Sequence, residues 1–189
     1  MKRLILFMHV SLDGFVALPT GELDWIKVDD AMFEYVSNLT SQADTALYGR
    51  VTYEMMESYW PTAADKPNAS KHDKEHAVWY KNVAKVVLSK TMKGKKIPNT
   101  QIISENIPEQ IQKLKQRSGK NILIFGSPGA VHTLMEYDLI DEYWLFVNPI
   151  LLSTGIPLFA NIKERRELHL IKTKVFESGV IGVHYEKKQ

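Results

Sequence analysis

The chain contains no cysteine. That excludes a disulfide scaffold, a thiolate zinc site and a cysteine nucleophile, and it is compatible with a reducing cytosol. A surplus of charge is also missing: 24 Lys and Arg against 22 Asp and Glu leave a formal net charge of +2. Such a balance implies neither a nucleic-acid nor a membrane partner. No apolar run is long enough to span a bilayer. Met1-Lys2-Arg3 followed by Leu4–Val10 has the outline of a signal peptide, but Ser11-Leu12-Asp13-Gly14 follows directly, without a small-residue cleavage site. The run reads instead as a first buried strand of a cytoplasmic protein. The Gly-x-Gly-x-x-Gly dinucleotide fingerprint, the Walker Gly-Lys-Ser/Thr and the Gly-x-Ser-x-Gly nucleophile elbow are all absent.

What is present fits one α/β domain spanning residues 1–189, with 44% hydrophobic residues to build a core. Strand-length apolar runs at Leu4–Val10, Thr45–Tyr48, Lys85–Leu88, Gln101–Ile103, Asn121–Phe125 and Glu142–Asn148 alternate with segments of helical period. The helices are expected at Asp29–Leu39, Val51–Glu57, Asp73–Asn82, Pro108–Arg117 and Gly129–Tyr137. This alternation predicts a mainly parallel sheet with helices on its faces. Near-continuous apolar character, as in Ile122-Leu123-Ile124-Phe125, suits strands covered on both sides. Leu168–Phe176 and Val180–Glu186 alternate apolar and polar residues around Glu177-Ser178-Gly179, which predicts an antiparallel C-terminal hairpin. Pro61–Lys74 and Lys90–Lys96 read as exposed connections.

Three turns follow expected strands, where open α/β sheets bind ligands. The first is Ser11-Leu12-Asp13-Gly14-Phe15-Val16-Ala17, running on to Asp24-Trp25-Ile26, long enough to act as a lid. The second, Tyr48-Gly49-Arg50-Val51-Thr52, offers a helix N-terminus, a guanidinium and a hydroxyl to an anion. The third, Phe125-Gly126-Ser127-Pro128-Gly129-Ala130, offers backbone N–H groups for a phosphate, minus the one that Pro128 lacks. Each also has a plainer reading, as a surface turn or a helix cap. Other residues invite the plainer reading more strongly. His72 and His76 lie four apart but lack a third ligand, so a solvated face is favoured over metal. His9 reads as a core or rim histidine. Trp25, Trp60, Trp79 and Trp144 are scattered, as packing residues are, and Glu164–Glu167 mixes charges like a solvated segment.

Taken in order, the turns resemble the dihydrofolate reductase family. Gly49-Arg50-Val51-Thr52-Tyr53-Glu54 resembles its Gly-Arg-x-Thr-aromatic-Glu segment, Val86–Lys90 its next strand and adenine-side turn, and Ile122–Ala130 its glycine-rich strand-turn-helix. Ser11-Leu12-Asp13-Gly14 with Gly21-Glu22 and Trp25-Ile26, and Leu139-Ile140-Asp141-Glu142 leading to Asn148–Leu152, are more similar to the reductase domain of the bacterial bifunctional riboflavin-synthesis protein. The resemblance implies a dihydrofolate reductase-like three-layer sandwich with NADPH across the strand ends. It implies that Arg50, Ser89 and Lys90 face the adenosine 2′-phosphate and Thr52 the pyrophosphate. Gly126, Ser127, Gly129 and Ala130 would follow the pyrophosphate and nicotinamide, and the loop carrying Asp13, Val16 and Ala17 would cover the nicotinamide. Gly49, Val51, Leu88 and Val131 complete the implied cofactor contacts. Asp29, Asp30 and Asp13 are the candidate catalytic carboxylates.

The sequence also departs from both patterns. Ser127 stands where dihydrofolate reductases have a second glycine, Phe7 where the riboflavin enzyme has a lysine, and Phe125 where it has an acidic residue. The expected activity is hydride transfer from NADPH to a small pteridine-, pyrimidine- or imine-like heterocycle, with a proton from Asp29, Asp30 or water. The alternative is an NADP(H)-binding protein of the same fold without catalysis. A homodimer is expected from the same resemblance and from the apolar and aromatic residues of Tyr143–Leu152.

Overall fold

A computed structural model describes residues 1–160, 162 and 164–188. Its centre is an eight-stranded sheet. In chain order the strands are β1 (Leu4–Ser11), β3 (Ala43–Gly49), β4 (Ala84–Leu88), β5 (Thr100–Ile103), β6 (Asn121–Phe125), β7 (Glu142–Asn148), β9 (Leu168–Val175) and β10 (Ile181–Lys187). Across the sheet they run β5-β4-β3-β6-β1-β7-β10-β9. The six strands from β5 to β7 are parallel, and β10 pairs antiparallel with both β7 and β9. The expected mainly parallel sheet with an antiparallel C-terminal hairpin is therefore the observed one.

Helices cover both faces, giving three layers. On one face α4 (Ile107–Gln116) and α5 (Pro128–Glu136) bury Ile111, Leu114, Val131 and Leu134 against Leu4, Leu6, Ile122 and Ile124. On the other, α1 (Asp30–Ser41), α2 (Arg50–Ala63) and α3 (Lys71–Asn82) cover Ile5, Tyr48, Leu123 and Phe125. Successive residues of a strand point to opposite faces, so a strand between two helical layers must be apolar at every position. That is the reason for the uninterrupted run at 122–125.

Several expectations need correction. The surface connection at Pro61–Lys74 is shorter than expected. Pro61 lies inside the last turn of α2, and Ser70 starts α3 through a capping box in which its hydroxyl accepts from the Asp73 N–H and Asp73 accepts from the Ser70 N–H. His72 and His76 do not form a solvated face. They pack with Phe33, Trp60, Trp79 and Phe125 between α1, α2 and α3, and burial pushes the His76 imidazole down to about 3. Within the charged segment 164–167, Arg166 is half-buried and donates to the Met135 carbonyl. Of the apolar residues in Tyr143–Leu152, Tyr143, Leu145 and Phe146 are buried, Trp144, Val147, Ile150 and Leu152 are half-buried, and Leu151 is exposed.

Two short strands escaped sequence reading. β2 (Phe15–Ala17) pairs antiparallel with β8 (Ile156–Pro157), at the end of the sheet where the parallel strands finish. Three and two residues carry no periodicity to detect.

Candidate functional site: a cleft at the strand ends

Chain direction reverses at the centre of the sheet. From β1 the chain moves through α1 towards β3, whereas from β6 it crosses through α5 to β7 on the other side of β1. Such a switch point opens a crevice beyond the carboxyl ends of the strands. Here a cleft of about 750 Å³ lies there, lined by the ends of β1, β4 and β6, by β2, and by the starts of α2 and α5. Its size is that of a small-molecule or cofactor site.

One wall is built for an anion. Gly49 is the N-cap of α2 and Ser127 the N-cap of α5, and neither helix start has a side-chain cap. The first turn of a helix leaves N–H groups without intrahelical acceptors, and its dipole places partial positive charge there. The two starts are tied together: the Gly49 N–H donates to the Ser127 hydroxyl at 2.8 Å. Gly126 sits against the Thr52 side chain, and a Cβ at Gly49 would lie 3.5 Å from the Ser127 Cβ. Two uncapped helix starts thus converge on one edge of the cleft. Ser127 adopts a left-handed φ of 64°, a conformation that suits the glycine it replaces.

Arg50 opens α2 and carries the only fixed charge among the described residues lining the cleft. One of its nitrogens pairs with Glu54 at 2.7 Å on the exposed surface. In the β3–β4 register Gly49 pairs with Leu88, so Arg50 and Ser89 are each the first residue beyond the paired ends. Of the expected cofactor residues, Val16, Ala17, Gly49, Arg50, Val51, Thr52, Leu88, Gly126, Ser127, Gly129 and Ala130 all line the cleft. Ser89 and Lys90 do not. The Ser89 hydroxyl lies 3.2 Å from that of Thr91 and accepts from the Met92 N–H, and Lys90 is exposed. Val131 is wholly buried in the core beneath α5 and has no surface to offer a ligand.

The three carboxylates are placed away from the cleft lining. Asp29 caps α1, its two oxygens accepting from the Met32 N–H at 2.8 Å and the Ser178 N–H at 3.1 Å. Burial pushes its carboxyl up, but these donors and Lys174 outweigh that and hold it below its usual value. Asp30 faces a separate groove between α1 and α3 with Glu34, Lys71 and Glu75. Asp13 accepts from the Ser11 hydroxyl and from the Leu152 and Ser153 N–H groups. It pins the β1–β2 turn to the segment after β7, where Leu12 also donates to the Ile150 carbonyl.

Two histidines among the cleft residues were not assigned to the site from sequence. His132 lies on α5 with Nε2 3.0 and 3.1 Å from the Pro157 and Leu158 carbonyls, which ties the helix to β8. His9, on β1, also lines the cleft, its ring edge-on to that of Phe7. Burial pushes its imidazole down to about 4, so it is neutral near pH 7.

An α/β sandwich with a switch-point cleft edged by paired helix starts defines the dihydrofolate reductase-like class. The chain belongs to the RibD C-terminal domain family, whose match runs over residues 2–181. It is 35% identical over 187 residues to the uncharacterized protein YyaP of Bacillus subtilis (strain 168), covering 97% of this chain and 94% of that one. Among solved structures it is similar to a putative riboflavin biosynthesis protein from Shewanella sp. PV-4, with a TM-score of 0.73, 24% identity and full coverage of both chains. A dihydrofolate reductase from Enterococcus faecalis complexed with NADP(H) shares the fold with a TM-score of 0.65, 15% identity, and coverage of 99% of this chain and 97% of that one. No helix among the described residues is long and apolar enough to cross a membrane.

Proposed function

We propose that this protein is an NADPH-dependent reductase of a small heterocyclic substrate. The observation that carries the reading is the hydrogen bond joining the caps of α2 and α5, which sets two helix starts around one anion position beside the cleft. A diphosphate suits such a donor set, because backbone N–H groups and two dipole ends act on the same charge. The residues present therefore fit the cofactor. When bound, NADPH supplies the hydride, and the protein supplies binding and orientation.

Thr52, Gly126, Ser127, Gly129 and Ala130 would hold the pyrophosphate. Val16, Ala17 and Leu88 supply apolar surface for the flat rings and exclude water from them. Arg50 would take the 2′-phosphate, with Ser89 following the end of the neighbouring strand β4. Proton delivery would fall to solvent water, since Asp29 caps α1 and Asp30 lines a separate groove. The NADP(H) complex of the Enterococcus reductase supports the cofactor assignment through the shared fold.

The test is selectivity between NADPH and NADH. A charge-assisted hydrogen bond contributes about 1.5–3 kcal/mol, so Arg50→Ala should weaken NADPH binding roughly ten- to hundredfold while NADH binding barely moves. Lys90→Ala should do less, because Lys90 stands off the cleft lining. Equal losses for both cofactors, or no preference in the wild type, would remove the 2′-phosphate assignment. Oxidation of NADPH in the presence of a panel of pterins separates the reductase from a non-catalytic NADP(H)-binding protein.

A further inference from the structure

The cleft lining includes the apolar side chains of Phe7, Leu23, Ile26, Met56 and Phe125. Among the described residues lining the cleft there is no Asp or Glu, and the one fixed positive charge, Arg50, belongs to the helix start at the anion edge. A cationic ring would find no carboxylate in this lining, and a phosphate or carboxylate tail would find no cation besides Arg50. Burying either charge there unpaired is unfavourable.

The cleft residue His9 has a polar partner behind the lining, and that partner's hydrogen-bonding sense is fixed. Asn148, wholly buried at the end of β7, accepts the Lys27 backbone N–H on Oδ1 at 2.8 Å. Its Nδ2 lies 3.0 Å from the Phe146 carbonyl oxygen and 3.4 Å from His9 Nδ1. A backbone N–H can only donate and a carbonyl can only accept, so the amide cannot be turned over. His9 Nδ1 must then accept, which places the proton of the neutral ring on Nε2. Nε2 has no partner among the described residues. The ring is held by Phe7 edge-on at 5.8 Å and by Phe146 at 5.2 Å between centroids. The same Asn148 anchors Lys27, next to the cleft residue Ile26, so one buried amide sets both the donor and the loop that closes over it.

We propose that His9 is the specificity-determining hydrogen-bond donor of this protein, and that its substrate is an uncharged ring whose carbonyl oxygen or ring nitrogen accepts from Nε2–H. This rests on the reductase reading for its context, but its measurements need no cofactor. Two readouts on the full-length protein test it. Long-range nitrogen–proton NMR on histidine labelled with nitrogen-15 should show the proton of His9 on Nε2, and Asn148→Ala should abolish that preference. Calorimetric titration should show that lumazine, a neutral pteridinedione, binds more tightly than the protonatable 2,4-diaminopteridine. His9→Phe, which keeps a ring of similar size, should weaken lumazine about tenfold or more, and His9→Gln, which keeps a donor, should retain most of the affinity. A proton on Nδ1, no lumazine binding by the wild type, tighter binding of the diamino compound, or equal lumazine affinity across the three proteins would each overturn the proposal. Loss of NADPH selectivity is a separate result and would bear on the reductase reading alone.

Discussion

Ser127 shows how one side chain can both strain and build a site. Its left-handed backbone costs a non-glycine residue about 1–2 kcal/mol, while the hydrogen bond it accepts from Gly49 returns about 0.5–1.5 kcal/mol. The two nearly cancel, so stability alone does not explain the serine. Ser127→Gly should leave the melting temperature nearly unchanged, whereas Ser127→Ala, which loses the bond and keeps the strain, should destabilise by about 1 kcal/mol. Both should weaken NADPH, because the two helix starts are no longer tied; unchanged affinity in both would show that the bond does not shape the site. Asp29 presents the opposite case. Its carboxylate serves α1 and the turn at Ser178, so Asp29→Ala should lower stability by roughly 0.5–2 kcal/mol and leave cofactor affinity alone. A loss of turnover in Asp29→Asn, which retains capping ability, would instead place that carboxylate in the reaction.

At the scale of elements, the long loop after β1 is less free than a lid. β2 pairs with β8, Asp13 holds Leu152 and Ser153, and Leu158 donates to the Gly14 carbonyl. Gly155 is required where these segments cross, because a Cβ there would run into the Ala17 carbonyl oxygen and the Phe15 side chain. Gly155→Ala should destabilise by about 1–3 kcal/mol, as overpacking does, and should displace Val16 and Ala17 from the cleft. A thermal melt and an NADPH titration measure the two effects, and a wild-type result in both would show that the crossing has room to spare.

For the whole molecule, acid stability depends on the end of the sheet opposite the cleft, where β7 begins. Glu142 is buried, which pushes its carboxyl up, but hydrogen bonds from His184, Arg3 and Trp144 outweigh this and hold it down to about 2. A depressed carboxylate stabilises the fold above its ordinary value near 4.5, and that stability is lost as pH falls from there through 2. The contribution is on the order of 3 kcal/mol, so Glu142→Gln should flatten the acid limb of a stability–pH curve. Ligand linkage acts on the same scale. NADPH at a hundred times its Kd should add roughly 2.7 kcal/mol, a melting shift of about 5–10 °C for a chain of this length, and NADH at equal concentration should add less.

Much of this architecture was legible in the amino-acid order because burial on both faces demands it. The run at 121–125, the alternation in the two C-terminal strands and the glycine-bearing turns after β3 and β6 each follow from local periodicity or backbone freedom. The turns that edge the cleft were legible too, since a turn between a strand and a helix start carries its donors within a few consecutive residues. What the sequence could not decide was pairing across distance. Asp29, Asp30 and Asp13 read as catalytic carboxylates until the fold assigned their oxygens to N–H groups as far away as Ser178 and Ser153, or turned them towards another groove. His9 read as a core or rim histidine until the fold set its Nδ1 3.4 Å from Nδ2 of Asn148, 139 positions later. Hydrogen-bond partners so far apart in sequence leave no local pattern, and only the packed sheet brings them together.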